Sequence, residues 1–150
     1  MRVHATENVT ATLTSEPGRQ PEVAVEARTI NALLSLPPGF GGQKRDDTAN
    51  PEQLFGGALT GCFAFAVQYV GRRARADVDG LVCRAEVRVG QARDLGNELE
   101  VDVVVELPGV PQEQAEELVA NARRYCPFHR AIEGNVRETI TVRGSDRGAE

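Results

Sequence analysis

The sequence has no apolar run of membrane-spanning length: the longest, from about Leu54 to Val67, falls short of the ~20 residues a span requires. Its opening, MRVHATENVT, lacks the apolar core of a signal peptide, so a cytoplasmic location is expected. No cluster of basic residues with interleaved aromatics is present, and a formal net charge of -5 over 150 residues gives neither nucleic acid nor an anionic membrane an electrostatic footing. Histidines number only two, and no second paired metal motif accompanies them. Cysteines number three, Cys62, Cys83 and Cys126. An odd count in a reducing compartment argues against a disulfide framework and leaves catalysis, redox chemistry, metal binding or plain packing. Internal repeats and low-complexity segments are also missing.

What is there is an ordinary globular composition, 41% hydrophobic and 26% charged, at a length that suits one domain spanning residues 1–150 with a frayed tail from about 144. Residues 3–14 and EVAVEARTI (22–30) alternate apolar and polar on either side of the turn residues PGRQP, which predicts a β-hairpin with Arg19 at its tip. INALLSL adds a further apolar piece. PPGFGGQKRDDTA (37–49) then makes a polar, glycine-rich loop of a length that is uncommon without a function, expected to be mobile.

The first helix is strongly punctuated. Asn50 suits the cap, Pro51 the first helical position, and Gln53 the third residue of a capping box. From Leu54 to Val67 the residues are apolar or small all round, predicting a helix buried on every side, with Gly56, Gly57 and Gly61 where another backbone comes close. LVCRAEVRV (81–89) and ELEVDVVVEL (98–107) alternate with period two and predict a second hairpin. A second helix follows, with Ala115, Leu118, Val119, Ala122 and Cys126 on one face and Pro127 as its stop; NVRETITV (135–142) reads as the last strand. The order is β-β-(β)-α-β-β-α-β, an α+β domain.

Cys62 and Cys126 lie on apolar helix faces and could meet in the core, although free cysteine usually acts as a small hydrophobe. Cys83, in phase with Leu81 and Ala85, reads as packing. A thiol taken out of water is inert unless charge favours the thiolate; three units of pKa correspond to about 4 kcal/mol, within reach of one desolvated guanidinium. Arg19 alone reads as a solvated turn residue and Glu52 alone as a helix-dipole partner. C-x-x-H spacing between Cys126 and His129, with Cys62 as a third ligand, keeps a zinc-stabilised binding module open. His129 as general base for a cysteine in acyl transfer is a further option, although no oxyanion-binding group is visible.

NPEQLFGGALTGCF (50–63), LPG (107–109) and CPFHRAIEGNV (126–136), in that order and across essentially the whole chain, resemble the organic hydroperoxide resistance branch of the OsmC/Ohr superfamily. The resemblance implies two antiparallel sheet parts around long central helices in an intertwined homodimer. It also implies a thiol peroxidase without cofactor or metal that reduces alkyl or fatty-acid hydroperoxides to alcohols. Carried over, Cys62 matches the peroxidatic cysteine, which becomes a sulfenic acid, and Cys126 the resolving one, which closes a disulfide with it. Arg19 and Glu52 match the pair that orders the site, and a dithiol such as a lipoyl group is the implied reductant. A redox sensor of the same fold with poor turnover is the alternative. Two departures stand out: Phe128 and His129 where tyrosine and serine are usual, and Gly61 where alanine is.

Overall fold

A computed structural model describes residues 7–14, 17–91 and 96–145. Residues 3–6 of the first expected strand, 92–95 of the second connection and 146–150 of the expected tail lie outside the described residues. The chain divides into two compact units, Met1–Leu54 and Phe55–Glu150.

In the first unit, β1 (Thr10–Thr14), β2 (Glu22–Glu26) and β3 (Asn31–Ser35) form an antiparallel meander in the order β1-β2-β3. Leu13 pairs with Val23 and Val23 with Leu34, so the alternating apolar positions of the three strands share a face. The second strand is shorter than its sequence suggests. It stops at Glu26, and Ala27 donates to the Ile30 carbonyl at 2.9 Å to turn the chain into β3.

The loop expected to be mobile makes one 3-10 turn, Pro38–Phe40, closed by Gly41 at φ +81°, a conformation that a side chain disfavours. Its far end returns to β3 through Ser35 N–H to the Ala49 carbonyl and Ala49 N–H to the Leu33 carbonyl, at 3.0 and 2.9 Å. Arg45 ties the loop to the sheet by pairing with Glu22 of β2 and, at 2.8 Å, with Asp47.

The capping box forms as its residues require. The Gln53 N–H donates to Asn50 Oδ1 and the Asn50 N–H to Gln53 Oε1, both at 2.9 Å, at the head of α1 (Pro51–Arg73). The helix has 23 residues, longer than its apolar stretch suggests, and by length and composition alone it could cross a membrane. Its packing is instead that of a core helix. Leu59, Phe63 and Val67 are fully buried in the core of the second unit.

Contrary to the expectation of burial all round, only one face is covered. Phe65 is 74% exposed and Tyr69 48%, because one three-stranded sheet can cover one side of one helix. The glycines follow the same division. Gly56 faces β4, where an added Cβ would stand 3.1 Å from Val87 Cγ2, a side-chain rather than a backbone approach; Gly57 and Gly61 face open space.

β4 (Val82–Gln91), β5 (Asn97–Pro108) and β6 (Arg137–Ser145) form the second sheet in the order β4-β5-β6, the first pair antiparallel and the second parallel. Gly144 and Ser145, expected in a frayed tail, belong to β6. The central strand presents Val101, Val103, Val105 and Leu107 inward, all essentially inaccessible. Its outward residues join an ion-pair ladder that includes Arg88 with Asp102 at 2.6 Å and Arg137 with Glu100 at 2.6 Å. Exposed pairs of this kind add little stability.

A parallel partner needs a crossover, which α2 (Gln112–Tyr125) and α3 (Pro127–Ile132) supply. Ala115, Leu118, Val119 and Ala122 are buried on one face of α2, as their spacing predicts. Pro127 ends α2 and also begins α3, occupying the first helical position, where its missing N–H does no harm. This short helix is absent from the sequence reading, in which a proline served only as a stop.

Candidate active site

Two of the predicted site residues meet within the second unit. Cys62 is half-buried on α1 beside the core cluster, and Cys126, fully buried, sits at the corner where α2 ends and α3 starts. Cys62 lies close enough to Cys126 to bear on its ionisation. Burial pushes the Cys126 thiol above its ordinary range. The backbone N–H groups of His129 and Phe128, at the start of α3, act in the other direction, and the neighbouring Cys62 adds to the rise. Cys83 faces inward from β4 and, by burial alone, is pushed up to about 11, as a packing thiol would be.

Behind Cys126 stands a buried polar chain that the sequence did not disclose. His129 Nδ1 lies 3.3 Å from Cys126 Sγ. The His129 ring is essentially inaccessible, stacks on Phe63 with centroids 4.0 Å apart, and has its Nε2 2.9 Å from Glu138 Oε1. That approach is off the line of a hydrogen bond, so both atoms remain buried without one.

Glu138 comes from β6, and its other oxygen accepts from Arg123 Nε of α2 at 3.2 Å, with Nη2 also 3.1 Å away. Burial, with Arg123 adding to it, lowers His129 to about 4, so the ring is neutral near pH 7; burial raises Glu138 against the pull of Arg123. One signal in the sequence could have revealed the carboxylate: Glu138 shares the inward phase of β6 with Ile140 and Val142, where a charge is out of place. His129 was visible only as half of a C-x-x-H spacing. Among the described residues no group of three or more His, Cys, Asp or Glu side chains is arranged to hold a metal ion.

Arg19 and Glu52 belong to the first unit. Glu52, in the first turn of α1, has a buried oxygen, Oε2, with no hydrogen bond among the described residues, an acceptor that suits a guanidinium. Arg19, at the β1–β2 turn, lines a cavity of about 720 Å³ together with Gln20, Glu22, Gln43 and Arg45. Arg45 was not singled out in the sequence. Its pairing with Glu22 and Asp47 shows that the 37–49 loop also brings a guanidinium to this cavity, and Arg45 in turn holds the Asp47 carboxyl below the usual range.

Comparison with known proteins identifies the family. Residues 42–141 match the family model described as OsmC-like protein. The organic hydroperoxide resistance protein OhrA of Bacillus subtilis (strain 168) is 32% identical over 133 residues, covering 89% of this chain and 94% of that protein. An organic hydroperoxide resistance protein of Xanthomonas axonopodis pv. citri (strain 306) is 31% identical over 134 residues, covering 89% and 93%. Among solved structures, an organic hydroperoxide resistance protein from Elizabethkingia anophelis superposes with a TM-score of 0.84 at 32% identity, covering 97% of this chain and 100% of that one. The chain belongs to the OsmC-like family, on its organic hydroperoxide resistance branch.

Proposed function

We propose that this protein is a cysteine-based peroxidase that reduces organic hydroperoxides to alcohols. The observation that carries the reading is the proximity of Cys62 to Cys126, the one pair of thiols brought together among the described residues. The Cys62 thiolate attacks the distal peroxide oxygen; the O–O bond breaks, the alkoxide leaves and is protonated to the alcohol, and Cys62 carries a sulfenic acid. The Cys126 sulfur then displaces that hydroxyl, water is lost, and a disulfide protects Cys62 from irreversible over-oxidation. A dithiol, a lipoyl group being the natural class, takes the disulfide back to two thiols and is itself oxidised.

Arg19 stabilises the thiolate and polarises the peroxide, and Glu52 anchors Arg19; the buried oxygen of Glu52 supports this assignment. Two copies associate through the open face of α1, which the exposure of Phe65 and Tyr69 supports, and the chain works as one domain in the cytoplasm. Apolar residues on that face, Phe65 one turn from Cys62, favour alkyl over hydrogen peroxide.

The test is turnover of cumene hydroperoxide and hydrogen peroxide with a dithiol or a monothiol, in wild type, Cys62→Ser and Cys126→Ser. Loss of activity in Cys62→Ser, with a single oxidation and no turnover in Cys126→Ser, is expected. Undiminished activity in Cys62→Ser ends the proposal.

A further inference from the structure

Closing a Cys62–Cys126 disulfide requires that Cys126, fully buried and pushed above the ordinary thiol range, give up a proton. With an ordinary value of 9.0, only about one thiol in a hundred is ionised at pH 7, and fewer still here. Neither Arg19 nor Glu52 is assigned to this proton. The nearest group placed to take it is His129.

We propose that His129 is a catalytic residue of the disulfide-closing step, a proton relay from Cys126 to Glu138. The inference rests on the peroxidase reading above. His129 Nδ1, 3.3 Å from the Cys126 sulfur, receives the thiol proton as that sulfur attacks Cys62. In the same movement the ring turns Nε2 into line with Glu138 Oε1, 2.9 Å away, and passes its own proton to it. The Cys126–Cys62 S–S bond forms and the Cys62 S–O bond breaks. The hydroxide that leaves takes up a proton from water, Glu138 returns one to water, and the net change is one sulfenic acid and one thiol to one disulfide and one water.

Three features suit this role. The ring accepts on one side while releasing on the other, so it never becomes an imidazolium, the form that burial disfavours here. Nε2 and Glu138 Oε1 are both buried, 2.9 Å apart and without a hydrogen bond, so a small rotation of the ring or the carboxyl brings each its missing partner. The inner end of the relay is sealed, while its outer end reaches the surface: His129 lines a cavity of about 450 Å³ with Arg123, Arg124, Arg130 and Glu133, and Glu138 lines another of about 300 Å³ beside α2.

Charged groups that bear on the relay are Arg123 from α2, which also holds Glu138, and Glu133 beyond α3, which opposes ionisation of Glu138. Glu138 acts through the ring and is a positioning residue as well as the acceptor. The same path run backwards delivers a proton to the Cys126 thiolate when an incoming dithiol reduces the disulfide.

The test follows disulfide closure after one equivalent of cumene hydroperoxide, by rapid quench and mass spectrometry, from pH 6 to pH 8, in wild type, His129→Asn and Glu138→Gln. Peroxide consumption in the first turnover is measured alongside, so that loss in the second step is read as a ratio of rates. Asparagine keeps an acceptor near the Nδ1 position but cannot pass a proton on. The expected results are nearly pH-independent closure in wild type, and closure slowed by at least about 100-fold at pH 7 in His129→Asn, rising about tenfold per pH unit because the reaction then waits for the thiolate. Glu138→Gln, which preserves shape and serves as the second variant, acquires the same pH slope with a smaller loss. Wild-type rates and slope in both variants overturn the relay and leave the peroxidase standing. A wild-type protein that consumes peroxide without forming the Cys62–Cys126 disulfide overturns both.

Discussion

Lowering the pH from 7 to 5 should weaken this protein chiefly through one side chain. His129 is neutral in the folded state, its pKa lowered from 6.5 to about 4 by burial with Arg123 adding to it. The unfolded chain therefore binds a proton that the folded one refuses. A group lowered on folding contributes stability that is complete above its unfolded value and is lost as pH falls toward its folded one, so the window runs from about 6.5 down to about 4. Across the whole window the loss is about 3 kcal/mol, and between pH 7 and pH 5 about 2 kcal/mol.

For a chain of this size that is a fall in Tm of roughly 4–8 °C. Glu138, raised by burial, has the opposite sign: its contribution is complete below its unfolded value and is lost as pH rises through the folded one, which trims the net effect. The measurement is denaturant unfolding at pH 7, 6 and 5 in wild type and His129→Asn. A variant whose stability falls by as much as the wild type's over that range would refute the assignment of a buried neutral imidazole.

Other consequences are simpler. Asn50→Ala removes one arm of the capping box and should cost about 1 kcal/mol in denaturant unfolding with little change in peroxide turnover. Phe65→Asp, on the open face of α1, should convert a dimer to a monomer by light scattering; a dimer unchanged at micromolar concentration would count against association through that face. Cys83, pushed up to about 11, should be alkylated by iodoacetamide more slowly than Cys62 in the native protein, and Cys83→Ala should turn over peroxide as the wild type does.

Local chemistry explains how much of this was legible in the sequence. The reciprocal bonds of Asn50 and Gln53 involve residues three apart, and the buried face of α2 repeats at helical spacing, so both can be read without knowing the fold. The two cysteine motifs carried enough pattern to bring Cys62 and Cys126 forward. Where a residue's partner is distant, the reading failed. Glu138 finds Arg123 and His129 only because β6 runs parallel to β5 and returns beneath α2, and Arg45 finds Glu22 across a loop. The uniformly apolar α1 gave no hint of which face its own sheet would cover. Pro127 can stop one helix or start another, and here it does both, because the chain turns helical again directly after Cys126.

Cys126 stands at a corner between two helices, and Cys62 lies on a third. Joining their sulfurs would close a loop of roughly 65 residues, and in a chain-entropy account a ring of that size stabilises a protein by up to about 4 kcal/mol. The oxidised molecule would melt at a higher temperature than the reduced one. On the proposed mechanism each turnover would tighten and slacken the same stretch of chain, and a melting curve would report the oxidised fraction.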